Sequence, residues 1–206
     1  VKTENNIRKF DKQAQKYERM RDKHLLKQYR RQIFKEADGE VLELSIGVGN
    51  NFEYYQHIEW LTGVDFSPEM LKFAEAEAKH YSFGTTLLEK DIEGMEFEEN
   101  RFDTIVSSLS FCSYQNPVDL MNKLSKWCRP DGRILLMEHG VSTSKPLAIL
   151  QKIVNPLSFK IVGCHQKRDI EKLVQQSDLE IKTVKRFALG CVYLIWAVPN
   201  PGSTKI

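Results

Sequence analysis

The sequence lacks any apolar run approaching the roughly 20 residues that cross a bilayer, so no membrane-spanning helix is expected. Cysteine is scarce: Cys112, Cys128, Cys164 and Cys191 are the only four in 206 residues. None forms a C-x-x-C pair or stands at zinc-finger spacing from a histidine. They read as reduced thiols of a cytoplasmic protein. An excess of one charge is also missing: 30 Lys and Arg face 28 Asp and Glu. That balance gives no drive toward nucleic acid. The 11 Gly and 7 Pro are too few for a collagen-like or low-complexity chain, and 41% hydrophobic content suits a packed core. The first residues, Val1-Lys-Thr-Glu-Asn-Asn, carry no signal-peptide apolar segment. The chain does not begin with Met, so an upstream anchor or targeting segment stays open.

What is present reads as one α/β domain over residues 1–206. Ile7, Phe10, Ala14, Tyr17, Leu26, Tyr29 and Ile33 recur at near-helical spacing and give two helices before Asp38-Gly39. Strands are expected at about 40–45, 60–65, 85–89, 102–107 and 133–138. Asn50 or Asn51 could cap a helix after the first strand. Ser67-Pro-Glu opens the next helix, with Ser as N-cap and Pro in first position. Further helices are expected at about 117–127 and 167–176, and an apolar segment at 146–161 is broken by Pro156. Two closing strands, about 179–187 and 191–198, flank Leu189-Gly190 and must run antiparallel. The alternation implies a mostly parallel sheet with helices on both faces.

Ligands of such sheets bind beyond the carboxyl ends of the strands. Gly47 and Gly49 let backbone pass close to a ligand there. Asp65, at the tip of the second strand, suits a ribose diol. A dinucleotide fingerprint needs a third glycine where Phe52 stands, which argues against a nicotinamide cofactor. Glu43, just under the loop, suits a cationic ligand with an amino-acid tail, or else is a structural carboxylate. Asp91 and Ile92 at the third tip could meet an adenine amino group and ring face. Ser107 and Ser108 at the fourth tip leave room beside a reacting centre.

Four segments carry a resemblance: Val41-Leu-Glu-Leu-Ser-Ile-Gly-Val-Gly, Leu61-Thr-Gly-Val-Asp-Phe-Ser-Pro-Glu-Met-Leu, Asn100-Arg-Phe-Asp-Thr-Ile-Val-Ser and Cys128-Arg-Pro-Asp-Gly-Arg-Ile-Leu-Leu-Met-Glu-His-Gly. In this order they resemble the class I S-adenosylmethionine-dependent methyltransferases, from about Phe10 to Pro199. Phe10-Asp-Lys-Gln-Ala-Gln-Lys-Tyr17 is similar to the first helix of UbiE-type quinone C-methyltransferases. Glu138-His-Gly and Gly163-Cys-His-Gln-Lys-Arg-Asp-Ile look like the membrane-associated branch that includes Oms-type and thiol methyltransferases.

The resemblance implies a Rossmann-like seven-stranded sheet with an antiparallel last strand. It implies S-adenosylmethionine as cofactor, S-adenosylhomocysteine as product, and helices within 1–37 over the cofactor site. Carried over, Tyr17 reaches the cofactor, Gly47 and Gly49 hold its methionine part, Ser45 belongs to the same cofactor loop, and Asp65 binds the ribose. Phe66, Asp91 and Ile92 stand at the adenine, Met70 is a further cofactor-binding residue, and Ser108 borders the methyl-transfer site. Ser45 replaces the usual first glycine and fits if its φ is negative. The quinone enzymes' motif after the fourth strand is replaced by Leu109-Ser-Phe-Cys-Ser-Tyr, which weakens a quinone acceptor.

In-line methyl transfer asks the protein mainly to align reactants and exclude water. If the acceptor must lose a proton, His139 at the fifth strand's end is the candidate base, or else a hydrogen-bonded strand-end histidine. Tyr114 and His165 follow. A metal-dependent transferase needs carboxylates at strands four and five, and Ser107 and Ser108 occupy the first of those places, so no metal is expected. Residues 146–162, with Lys145, Lys152 and Lys160, are either a helix packed on the sheet or a lid touching a membrane surface. The acceptor is therefore expected to be a small apolar molecule: a quinone precursor, a lipid or a thiol. A catalytically silent cofactor-binding or assembly protein and an NAD-dependent oxidoreductase are the competing classes.

Overall fold

The computed structural model describes residues 4–21 and 26–200. Residues 1–3 and 22–25, part of the expected helical region 1–37, lie outside them. Two helices, α1 (Glu4–Arg19) and α2 (Lys27–Phe34), precede the sheet. The strands are β1 (Asp38–Leu44), β2 (His57–Asp65), β3 (Gly84–Glu89), β4 (Phe102–Ser108), β5 (Cys128–His139), β6 (Leu179–Phe187) and β7 (Val192–Pro199). Between them lie α3 (Pro68–Ala78), α4 (Pro117–Trp127), α5 (Lys145–Val162) and α6 (Ile170–Gln175). The seven strands stand in the order β3-β2-β1-β4-β5-β7-β6. β7 runs antiparallel to both β5 and β6, and the other neighbours are parallel. Chain order reverses direction at β1–β4, which opens a crevice beyond their carboxyl ends.

Alternation along the strands sorts the core onto two faces. Leu42, Leu44 and Ile105 pack with Trp127 and Leu124 of α4 and with Ile170 and Val174 of α6. Val41, Leu61, Val106 and Leu135 pack with Ile33 and Phe34 of α2 and Leu71 of α3. Registration aligns the tips: Leu44 sits between Val64 of β2 and Ser107 of β4, and Ser108 pairs with Met137 of β5. The residues just beyond those tips therefore share one edge.

Three local expectations change. No α-helix follows the glycine loop, only a 3-10 turn at Phe52–Tyr54. Asn51 caps nothing with its side chain, because its amide is committed to Glu43 and Arg30. Pro156 does not break the apolar segment, since α5 runs through it. Proline in a helix interior costs one backbone hydrogen bond and a clash of its ring with the carbonyl four residues earlier. Ser67 does cap α3 as expected, accepting from Met70 N at 3.2 Å with Pro68 behind it.

Candidate functional site

A cavity of about 230 Å³ opens at the carboxyl edge. Tyr17, Glu43, Ser45, Gly47, Asp65, Phe66, Met70, Ser108 and His139 line it together. Gly49, Asp91, Ile92 and Tyr114 do not appear in its wall. Ile92 is buried in the core cluster with Val64, and Asp91 caps the turn at Ile92–Gly94. They stay near the site through Lys90, whose N–H donates to Asp65 O at 3.0 Å.

The loop after β1 turns through left-handed backbone. Gly47 has φ +57°, and a Cβ there would meet nothing nearer than Ser45 O at 4.0 Å, so the glycine leaves the cavity open above it. Gly49, at φ +80°, lies against the Phe52 ring, which a Cβ would strike at 2.7 Å. Phe52 thus fills the place of a third glycine and is wholly buried. Ser45 also has positive φ, +47°. The negative angle expected of a serine here is corrected: the residue keeps the glycine's conformation and bears its strain. Leu109, past β4, is likewise at φ +56°, so both flanks of the cavity hold strained backbone.

Asp65 organises the loop. One oxygen accepts from Gly47 N and the other from Ser67 N, both at 2.9 Å. Burial pushes its pKa up to about 6 against these hydrogen bonds. The Phe66 N–H engages the carboxylate as well, so of roughly four acceptor positions one stays open to a ligand hydroxyl. Glu43 accepts from Asn51 Nδ2 and from Tyr55 Oη, both at 2.6 Å, and burial pushes it up to about 7.

Two arginines were not singled out in the sequence. Arg30 of α2 is 4% exposed and lines the cavity. It donates to Asn51 Oδ1 and, at 2.8 Å, to Ser108 Oγ. Its Nε has no partner among the described residues. Arg21 donates to the carbonyls of Val48 (2.6 Å) and Gly49 (3.3 Å) and pairs with Glu18 and Glu77. It clamps the glycine loop from above. Phe10 of α1 also lines the cavity and meets Phe66 edge-on, with centroids 5.1 Å apart.

At the far end stand His139 and two cysteines. Cys112 and Cys164 form a disulfide, which corrects the expectation of four reduced thiols. Their separation of 52 residues left no signal in the sequence. His139 Nε2 lies 2.9 Å from Cys164 Sγ, and burial lowers the imidazole's pKa. Tyr114 is buried, and its hydroxyl is 2.8 Å from Ser45 Oγ. Burial raises the phenol far above its ordinary value. His165 stacks on Phe159 at 4.2 Å, away from His139's cavity.

Residues 42–136 match the family model described as a methyltransferase domain. The mitochondrial methyltransferase OMS1 of Saccharomyces cerevisiae is 31% identical over 190 residues, covering 82% of this chain and 40% of the yeast protein. A phosphatidylethanolamine N-methyltransferase of Cereibacter sphaeroides is 27% identical over 145 residues, covering 69% of this chain and 71% of that protein. The rat thiol S-methyltransferase TMT1B is 28% identical over 152 residues, covering 69% and 62%. The chain thus spans less than two thirds of the yeast and rat proteins. Among solved structures, a chain of the Haloferax volcanii complex between the Trm112 methyltransferase activator and a methyltransferase superposes with TM-score 0.76 at 15% identity, covering 96% of this chain and 98% of that one. That likeness concerns the fold.

Proposed function

Because the chain belongs to the class I S-adenosylmethionine-dependent methyltransferases, we propose that its cavity holds S-adenosylmethionine and passes the methyl group to a small apolar acceptor: a quinone precursor, a lipid or a thiol. The observation that carries this reading is the opening over Gly47 beside the Asp65 carboxylate. The ribose fits Asp65, whose carboxylate keeps acceptor capacity beyond its backbone partners Gly47, Ser67 and Phe66. The cofactor's carboxylate fits Arg30, a buried guanidinium with an unpartnered Nε. Its ammonium fits Glu43, whose ionised form a neighbouring cation would restore. Phe66 and Met70 offer apolar surface for the adenine, and Asp91 and Ile92 flank that end.

Bound there, S-adenosylmethionine supplies an electrophilic methyl on sulfur. The chain's part is to align and to exclude water. Phe10 and Tyr17 of α1 cover the cavity, while Ser108, Leu109 and His139 frame its acceptor end. Such positioning supplies roughly 7–11 kcal/mol of a barrier. His139, kept neutral by burial, can accept a proton from an acceptor that carries one.

The apolar acceptor rests on α5, whose outward face is hydrophobic. Ile149, Leu150, Ile153 and Leu157 are exposed, with Lys145 and Lys152 on the same helix. This surface suits peripheral contact with a membrane, from which a lipophilic acceptor enters. No helix among the described residues is long and apolar enough to cross one.

Calorimetry with S-adenosylhomocysteine tests the reading. Wild type binds, and Asp65→Ala loses ~1–3 kcal/mol of affinity through one charge-assisted hydrogen bond. A thermal shift with NAD and none with S-adenosylhomocysteine overturns it. Tight binding with no turnover across quinol, thiol and aminolipid acceptors points instead to a cofactor-binding assembly protein.

A further inference from the structure

The cavity's acceptor end brings together three metal-ligating side chains from three separate elements. Cys112 lies in the loop after β4, His139 ends β5, and Cys164 follows Gly163, the left-handed cap of α5. Their ligand atoms all fall within 4.8 Å of one another. The cysteine Cα atoms are 5.0 Å apart, and His139 Nε2 already lies 2.9 Å from Cys164 Sγ.

We propose that Cys112, His139 and Cys164 bind a soft divalent cation, Zn²⁺ by its ligand chemistry, and that the disulfide is the oxidised, metal-free form of the same site. Two thiolates and an imidazole are a zinc donor set. With Zn–S near 2.3 Å and Zn–N near 2.0–2.1 Å, tetrahedral ligand atoms stand roughly 3.5–3.8 Å apart. Opening the disulfide and parting the sulfurs by side-chain rotation reaches that spacing within the present cluster.

The backbone holds the two cysteine loops together without help from sulfur. His165 N donates to Cys112 O at 2.9 Å. Arg168 donates to the carbonyls of Phe111 and, at 2.6 Å, Tyr114. Phe111 N donates to Glu138 Oε2 at 3.2 Å, one residue before His139. A reduced protein therefore keeps all three donors facing one point, the preorganisation a metal site needs. All three line the cavity, so the fourth tetrahedral position faces it and takes water or an acceptor's donor atom.

The two states exclude each other. Metal binding releases a proton from each thiol. Oxidation removes two protons and two electrons, which an added azo oxidant such as diamide accepts. The test needs no cofactor and no turnover, so it fails or succeeds apart from the methyl-transfer reading; the proton-accepting role given to His139 there belongs to the metal-free form.

Co²⁺ serves as the optical probe. Full-chain protein reduced with a phosphine should take up one equivalent, giving thiolate charge-transfer and tetrahedral visible bands that Zn²⁺ abolishes. Diamide-treated wild type, folded by circular dichroism, should give none. Cys112→Ser, Cys164→Ser and His139→Ala should lose the bands, while Cys128→Ser and Cys191→Ser keep them. Reduced protein that binds no more Co²⁺ than oxidised protein overturns the site, as do bands that survive both Cys112→Ser and Cys164→Ser.

Discussion

The Ser45 hydroxyl lies 2.8 Å from that of Tyr114, while the Ser45 backbone is held at φ +47°. The side chain thus anchors a conformation that its own Cβ disfavours. Ser45→Ala removes the anchor and keeps the strain, costing about 0.5–1.5 kcal/mol for the hydrogen bond. Ser45→Gly removes both and should be more stable than the alanine variant by ~1 kcal/mol. Urea unfolding of the three proteins gives the ranking. An alanine variant as stable as the glycine one would show that the loop is not strained in solution.

Glu138 governs how stability answers to pH. It accepts from Ser107 Oγ at 2.6 Å, and burial pushes its pKa up to about 7, with Glu43 also at about 7 and Asp65 at about 6. The unfolded chain ionises these groups near pH 4, so between there and about 7 the folded state keeps protons that the unfolded state has lost. Their contribution falls as pH rises through that window, then levels. His139 and His165, both lowered by burial, act oppositely below about pH 6.5. Glu138→Gln mimics the protonated acid, its amide donating to Ser107 and its oxygen accepting from Phe111. Against wild type, the variant should gain in melting temperature between about pH 5 and pH 8. An unchanged difference across that range would mean that Glu138 is ionised throughout.

Much of this architecture can be read from punctuation in the chain. Ser67-Pro68 starts α3 and Asn116-Pro117 starts α4, and apolar runs ending in Gly47, Asp65 and Ser108 set the strand tips. The glycine loop and its aspartate were legible because backbone approach and a strand-end acid are local features. The rest depends on distant partners. Arg30 resembles any exposed lysine or arginine of an amphipathic helix until α2 packs it against Asn51 and Ser108. Asn51 reads as a cap until Glu43 claims its amide. The sulfurs of Cys112 and Cys164 meet only because β4 and α5 finish at the same edge.

Arg30 offers a test of which end of the cofactor lies where. It touches Asn51, which also holds Glu43, and Ser108. Arg30→Lys keeps a charge but loses the planar fork that pairs with a carboxylate. Affinity for S-adenosylhomocysteine should fall by ~1–3 kcal/mol, while affinity for adenosine, which lacks the amino-acid tail, stays unchanged. Calorimetry with both ligands separates the effects. An equal loss for adenosine would move Arg30 to the nucleoside end.

Helix α5 has its polarity inverted. Gln151 and Asn155 are buried, and Gln151 accepts from Ser142 N at 2.8 Å and donates to Gly140 O at 3.1 Å. Ile153, at 70% exposed, and Leu157, at 60%, face outward. Burial of the polar side leaves the apolar side without a counterpart among the described residues, and large exposed apolar patches mark contact surfaces. Lys145 and Lys152 near the head of the helix match an anionic bilayer as the membrane partner proposed above. Each such side chain contributes about 1.5–3 kcal/mol when fully buried. The double variant Ile153→Glu, Leu157→Glu should therefore lower sedimentation with phosphatidylglycerol-containing vesicles ~10-fold or more, with no loss in melting temperature. Both positions are exposed already, so folding gives up nothing. Equal sedimentation of the two proteins would take the membrane contact away from α5 and leave its apolar face to another protein.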